Sequence, residues 1–196
     1  MGRQRSKVIC PGCGRRSATD RVLPSYRFRE SGLPNVWLKR GVTETTCSRC
    51  GKSHIGIEKE GQLLQVIAVG LLMKPGFLTG DEMRFLRGAC QMSQATLAST
   101  LRHRRETVSE RETRRNPDLS LAEEIWLRLV LLDSYRSHLR SAGNRFLDTS
   151  HLRKLNAFTD GFCAAALRVA GRMSRRVELT AAMDRSRKTW RLDEAA

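Results

Sequence analysis

Two short cysteine motifs constrain the fold of this chain more than any other feature. Both have the form C-x-x-C-G, and their four thiols belong to Cys10, Cys13, Cys47 and Cys50. The glycine after each second cysteine lets the backbone fold back, so that its amides can point at the sulfurs. Two such knuckles supply the four thiolates of a tetrahedral Zn²⁺ site, and four thiolates leave no open position for a water nucleophile. The motifs therefore predict a zinc ribbon whose metal is structural.

Other interpretations of the cysteines stay open at this point. His54, four residues beyond Cys50, is an alternative ligand that ranks below the four thiols. Surface thiols without a metal are a second alternative. A redox role would need a thioredoxin-like βαβ context, which the flanking sequence lacks. The other two cysteines, Cys90 and Cys163, stand alone in apolar helical patterns and are expected to be small core residues.

The residues between the two knuckles favour strands. Short apolar runs at 22–23, 26–28 and 36–38 surround a turn-forming segment at 31–35. We therefore assign residues 1–57 to a zinc-ribbon domain. Leucines at helical spacing then predict a connector helix within residues 58–76, and the Lys-Pro-Gly sequence that closes this segment indicates a domain boundary.

Residues 77–142 carry the pattern of a helix-turn-helix domain. Thr79 opens a capping box in front of an apolar-periodic run. Ser93 is a suitable N-cap for a second helix, Gln94 to Leu101. A third helix is predicted from Arg105 to Thr113 with Val108 as its buried anchor, and its polar positions are free to meet a DNA major groove. The plainer alternative is an amphipathic helix pair whose charges are only solvated.

A longer helix is predicted to begin after Ser120, which starts a second capping box. Trp126, Val130 and Leu131 give this helix more apolar surface than one packed face needs. It is therefore either the central core helix of the domain or part of a homodimer contact. Residues 143–196 are predicted to form one more helix, followed from Met173 by a loosely ordered basic tail that adds phosphate affinity.

The net charge of +16 favours a polyanionic partner, nucleic acid first and an anionic membrane second. The membrane interpretation is weak because the longest apolar stretch, residues 63–73, falls short of the ~20 residues that a spanning helix needs. No apolar signal-peptide segment follows the basic N-terminus, so we expect a cytoplasmic location and no membrane partner. The four histidines are scattered and the predicted metal site is closed, so we expect no enzyme activity.

The sequence SQATLASTL at 93–101, followed by TVSERE at 107–112, resembles the lambda-repressor/Cro type of helix-turn-helix. The resemblance implies that the glutamine opening the second helix binds the sugar-phosphate backbone and that polar residues of the third helix read bases. The candidate DNA contacts are Gln94, Arg104, Arg105, Glu106, Thr107, Ser109, Glu110 and Arg114. Arg102 and His103 stand in the turn where that type has glycine and a hydrophobic residue, so strain is expected if the turn needs positive φ.

The ribbon, the connector helix, FLTGDEMRFLR at 77–87 and the helix-turn-helix together resemble the MqsA-type antitoxins of bacteria, over roughly Val8 to Leu132. The expected fold is mainly α with a small β zinc ribbon. The resemblance implies that the zinc domain holds a toxin, while the helical domain dimerises and binds the operator of its own operon. The implied function is an autoregulating, sequence-specific repressor. A stand-alone zinc-ribbon regulator and an RNA- or ribosome-associated binding protein are the alternatives.

Overall fold

The computed structural model describes residues 7–141, 179–184 and 189–192. Within these ranges the chain forms six strands and five α-helices. In chain order the elements are β1 Lys7–Val8, β2 Ala18–Arg27, β3 Val36–Cys47, β4 Ser53–Ile57, α1 Glu60–Met73, α2 Gly80–Ala89, α3 Gln94–Leu101, α4 Arg105–Thr113, α5 Leu121–Ser141, β5 Leu179–Asp184 and β6 Thr189–Leu192. A short 3-10 turn, Arg29–Ser31, lies at the end of the hairpin between β2 and β3.

All six strands belong to one mixed sheet organised around β3. The order is β1-β2-β3-β5-β6, and β4 also pairs with β3. The first residues of β3 pair in parallel with β5, whereas its last residues pair antiparallel with β4, so one edge of β3 serves two partners. A β-bulge separates the two halves where Pro24 lies opposite both Arg40 and Gly41, whose φ angles are 67° and 68°. Pro24 fits this position because it has no N–H to offer the ladder.

The prediction of a loosely ordered tail is wrong for the segments that form β5 and β6. Trp190 of β6 is fully buried, and its Nε1 donates to the Glu58 carbonyl at 2.6 Å. The close approach of its ring is possible because residue 41 is a glycine; a Cβ there would lie 2.9 Å from the ring. Buried and less buried residues alternate in these strands over only a few positions. Such a short alternation among many arginines was too weak a signal to predict strands from the sequence. The helix predicted between 152 and 169 lies outside the described residues.

The expected mainly-α fold with a small ribbon is correct only in part. The helices are present, but the sheet extends well beyond the ribbon because β5 and β6 join it. Helix α1 is buried along most of its length and contacts β5, β6, α2 and α5. One continuous set of buried apolar side chains runs from the sheet through α1 to α5. The predicted connector helix is thus part of the core.

Three of the four helices of residues 79–141 begin at the predicted caps, whereas α4 follows Arg104, whose side chain makes no capping hydrogen bond. The Thr79 hydroxyl accepts from the Glu82 amide at 3.3 Å, and the Glu82 carboxylate accepts from the Thr79 amide at 2.7 Å. Ser93 caps α3 by accepting from the Thr96 amide at 3.0 Å. Both α3 and α4 have the predicted bounds. Arg102 ends α3 with φ 56°, so the turn does use the left-handed conformation that glycine adopts more easily.

A buried ion pair on α5 fixes the connection between α1 and α2. Arg128 donates at 2.7 Å to the Glu124 carboxylate, which accepts from the Leu78 amide at 3.0 Å. The Arg128 guanidinium also donates to the carbonyls of residues 72, 74 and 76. These backbone groups would otherwise be buried without partners, which is costly. The connecting segment is therefore held in one conformation against α5.

Candidate metal centre and nucleic-acid interface

The four knuckle cysteines converge at one end of the sheet. Each offers one sulfur, and all four sulfurs lie within 4.8 Å of one another. The Cys10–Cys50 and Cys13–Cys47 sulfur pairs are 3.7 Å and 3.8 Å apart. These separations are far longer than a disulfide bond, which is about 2.05 Å. They match a tetrahedron of thiolates with metal–sulfur bonds of about 2.3 Å, whose sulfurs are about 3.8 Å apart. The cluster could therefore hold a metal ion.

The chain shapes each knuckle with the same backbone turn. The Gly14 amide donates to the Cys10 carbonyl at 2.9 Å, and the Gly51 amide donates to the Cys47 carbonyl at 3.0 Å. Both glycines have positive φ, 69° and 68°, where a side chain would be strained. The requirement for glycine after each second cysteine is thus explained by backbone conformation.

Ser17 is a partner of the cluster that the sequence did not reveal. Its hydroxyl lies 3.1 Å from the Cys47 sulfur. This hydrogen bond and the backbone amides of Cys50 and Arg49 lower the pKa of the Cys47 thiol to about 6, against the opposing effect of burial. The Lys52 amide lowers the pKa of Cys50, but burial and the neighbouring thiols raise it by more. The net result is a Cys50 pKa of about 11. The neighbouring thiols thus oppose the ionisation of Cys50, a cost that a bound divalent cation would offset.

His54, the alternative ligand, lies outside the group of ligand atoms that the described residues bring together. Its Nε2 is buried, has no hydrogen-bond partner among the described residues, and faces the first knuckle. A Cβ built on Gly12 would lie 3.0 Å from this nitrogen. His54 therefore packs against the backbone of the knuckle. Cys90 is a core residue as predicted, because it is buried and its thiol donates to the Leu131 carbonyl at 3.3 Å.

Helix α4 presents most of its length to solvent. Only Val108 and Glu112 are buried, and both point toward the other helices. Thr107 and Ser109 are half-buried. The remaining predicted contacts on or beside α4 are exposed: Arg104, Arg105, Glu106, Glu110 and Arg114. The polar face of α4 is consequently available to a partner.

The buried end of α4 is anchored by one carboxylate that joins three helices. Glu112 is 1% exposed and accepts from Nε and Nη2 of Arg87 on α2, at 2.6 Å and 2.9 Å. It also accepts from the side-chain amide of Gln94 on α3 at 2.9 Å. Gln94, the predicted phosphate contact, therefore already donates one of its two amide hydrogens to Glu112. Arg87 and Glu112 are positioning residues that the sequence pattern did not single out, since 25 residues separate them.

A second ionic group ties α4 to α5. Arg111 donates to the Glu123 carboxylate at 2.6 Å and lies 3.3 Å from the ring nitrogen of His103. Glu123 also caps α5 by accepting from the Ser120 amide and hydroxyl, both at 2.9 Å. These hydrogen bonds, led by the one from the Ser120 amide, lower the pKa of Glu123 to about 2. The turn before α4 and the start of α5 are thus linked by a carboxylate that is ionised at neutral pH.

Some charged side chains on the exposed face of α4 form ion pairs and others do not. Glu110 and Arg114 form an ion pair one helical turn apart at 3.6 Å, so part of the acidic character of this face is neutralised locally. Within the described ranges, Arg104 and Arg105 take part in no ion pair. Cations at the start of α4 are therefore available for phosphate.

Helix α5 leaves an apolar surface of its own. Trp126 is 51% exposed, and a groove of 440 Å³ runs beside it along α5, lined also by Leu129, Val130 and Leu132. The sequence left open whether α5 is a central core helix or part of a homodimer contact. A core position explains Leu131, which is fully buried, but Trp126 is not covered by the described residues.

Comparison with known protein families, curated proteins and solved structures finds no match. The resemblance to the MqsA-type antitoxins therefore stays a prediction from sequence motifs. None of the helices in the described ranges has the length and apolar content needed to cross a membrane.

Proposed function

We propose that this protein is a sequence-specific DNA-binding transcriptional repressor. The exposed polar face of α4 carries the proposal: the helix is fixed at its inner side by Val108 and Glu112 while its outer residues face solvent. A helix supported in this way by two preceding helices can enter the major groove and bring side chains to base edges. The net charge of +16 supports a polyanionic partner.

Within α4 the residues divide by the chemistry of their side chains. Arg104 and Arg105 have guanidinium groups for phosphates or for guanine, and Ser109 has a hydroxyl for several bases. Glu106 can accept from the amino group of cytosine. Arginine contacts to the backbone set affinity and register, whereas base-edge contacts set sequence preference.

We assign Zn²⁺ to the four-cysteine cluster. Four thiolates in tetrahedral arrangement are typical of structural zinc sites, and the paired sulfur separations fit that ion. A small module that buries only Cys10, Ala18 and Cys47 near the cluster has little apolar surface to stabilise it. Metal binding would then supply a large part of the folding free energy of this end of the sheet.

The MqsA-type resemblance extends the proposal to an antitoxin that holds a toxin through its zinc domain and represses its own operon from the cytoplasm. Such regulators bind paired half-sites as two-fold dimers. The uncovered Trp126 and the adjoining groove on α5 supply an apolar surface suited to a homodimer contact.

Binding-site selection from a pool of random duplexes, with the zinc-loaded full chain, tests the DNA-binding proposal. We expect one enriched, palindromic site. Arg105→Ala should lower the slope of log K against log salt by about 0.9, because one phosphate contact is lost. Ser109→Ala and Glu106→Gln should instead change the preferred base at one position of each half-site, by about 1–3 kcal/mol.

Arg40→Gln is the matched control, since Arg40 is also exposed but lies at the bulge in the middle of β3, outside the three helices. It should leave both the slope and the selected site unchanged. The proposal fails if Arg105→Ala leaves affinity and slope at wild-type values. Binding of structured RNA without preference among duplexes would favour the alternative of an RNA-binding protein.

A further inference from the structure

The two chain segments that form the metal end of the sheet contain cations and no carboxylates of their own, and the first carboxylate along the sheet is Asp20, which accepts from the Thr45 hydroxyl. Residues 7–19 and 45–57, which include both knuckles, contain no Asp or Glu. Four exposed basic residues lie within the knuckles, and we call them the knuckle surface: Arg15, Arg16, Arg49 and Lys52. A divalent ion with four thiolates has a formal charge of −2, so these four cations leave the metal-loaded end of the sheet positive.

Contacts between the two knuckles bring the backbone segments that carry these cations close together. On one side, the amide and hydroxyl of Ser48 donate to the Ser17 carbonyl at 3.1 Å and 2.9 Å. These bonds bring together the backbone segments from which Arg16 and Arg49, the neighbours of the two serines, extend. On the other side, the Lys52 stem crosses to the first knuckle, where its Cδ lies 3.5 Å from the Cβ position of Gly12.

The knuckle cations are available for an external partner. Within the described part of the chain none of the four forms an ion pair, whereas Arg21, farther along the sheet, is held by Glu44 at 2.9 Å. The metal-binding turns fix the backbone beneath them, so binding would order only the side chains. The knuckles contain Gly, Ser, Arg and Lys but no aromatic residue of the kind that anchors protein interfaces. Their chemistry fits an acidic, repetitive backbone.

We infer that the knuckle surface binds the phosphate backbone of nucleic acid, independently of base sequence, and is a second contact surface in addition to α4. None of its residues belongs to α4 or to the predicted DNA contacts, so this inference does not rest on the proposed function. The attraction comes from counterions that each arginine or lysine releases when it neutralises a phosphate. The surface would supply affinity and register on DNA, while base preference would remain with α4.

Fluorescence anisotropy tests this inference with a random-sequence 30-base-pair duplex and the zinc-loaded full chain, titrated over a range of salt concentrations. The variant is Arg16→Gln/Arg49→Gln. Loss of two phosphate contacts should lower the slope of log K against log salt by about 1.8 and weaken binding in 0.1 M salt up to about 60-fold. Zinc stoichiometry and circular dichroism should match the wild type, because neither side chain contacts a sulfur.

The matched control is Arg29→Gln/Arg40→Gln, which removes two exposed arginines at the hairpin end and the middle of the sheet. It should keep the wild-type slope. The inference is overturned if the knuckle variant keeps that slope, if the control loses as much, or if the wild type binds no random duplex in 50 mM salt. Knuckle-dependent binding without any selected operator would instead refute only the role of α4 in sequence recognition.

Discussion

Replacing Glu112 with Gln should weaken the helix-turn-helix more than any surface change on α4. The carboxylate is buried, and it accepts two hydrogen bonds from Arg87 and one from Gln94. The Arg87 side chain is 17% exposed, and the hydrogen bonds that it donates to Glu112 raise its pKa. Glu112→Gln would leave that guanidinium facing a neutral amide without a counter-charge.

Removing one partner of a buried ion pair costs about 3–5 kcal/mol, and the partial exposure of Arg87 places the expected loss near the lower end, about 3 kcal/mol. With a urea m-value of roughly 2 kcal/mol/M, the unfolding midpoint should fall by about 1.5 M. Urea titration followed by circular dichroism at 222 nm measures this change at neutral pH.

Two further variants separate the buried pair from general effects of charge. Glu110→Gln removes an exposed carboxylate of α4 whose ion pair with Arg114 spans 3.6 Å, and should cost less than about 0.5 kcal/mol. Arg87→Met/Glu112→Leu removes both charges and fills the space, so it should recover most of the stability. The reasoning is refuted if Glu112→Gln costs no more than Glu110→Gln, or if the double variant is no more stable than the single.

Three other changes test separate parts of the fold. Gly80→Ala should destabilise the chain by several kcal/mol in thermal unfolding, because its Cβ would lie 2.3 Å from the Arg114 carbonyl oxygen; Gly61→Ala, with nothing within 4 Å, should stabilise α1 by about 0.5–1 kcal/mol. Glu123→Gln should lower the free energy of unfolding at pH 7, and the difference in this free energy from wild type should shrink as the pH falls from 4.5 toward 2. Folding lowers the pKa of Glu123, so its stabilising effect is complete above the unfolded-state pKa and disappears when the carboxylate is protonated. Removing metal with a chelator should release one Zn²⁺ per chain and abolish amide protection in residues 7–19 and 45–57, the segments around the cysteine cluster.

Each of these predictions has an outcome that contradicts it. Equal melting temperatures for the two glycine variants would show that α4 does not approach Gly80 as closely as the backbone indicates. A Glu123→Gln difference that stayed constant between pH 4.5 and pH 2 would mean that this carboxylate has an unshifted pKa. Unchanged amide exchange after chelation would show that the sheet does not depend on the cysteine cluster.

The sequence alone determined the features that depend on nearby residues. Helix caps are local, because Thr79, Ser93 and Ser120 each bond an amide or carboxylate three residues away. The bounds of α3 and α4 followed from these signals and from the apolar period. The knuckles are local in the same sense, since each cysteine pair and its glycine specify one turn. The four cysteines of the cluster could therefore be named in advance.

Only the tertiary structure decided the contacts between distant segments. The parallel pairing of β5 with β3 depends on which edge of the sheet is free, and short strands among arginines give no sign of their partner. The bond between Ser17 and Cys47, the anchoring of α4 by Arg87 and Glu112, and the clamp of Arg128 on the segment before α2 are equally non-local. A sequence pattern predicts that polar side chains are exposed. Their hydrogen-bond partners lie far away in the chain and become neighbours only when the chain has folded.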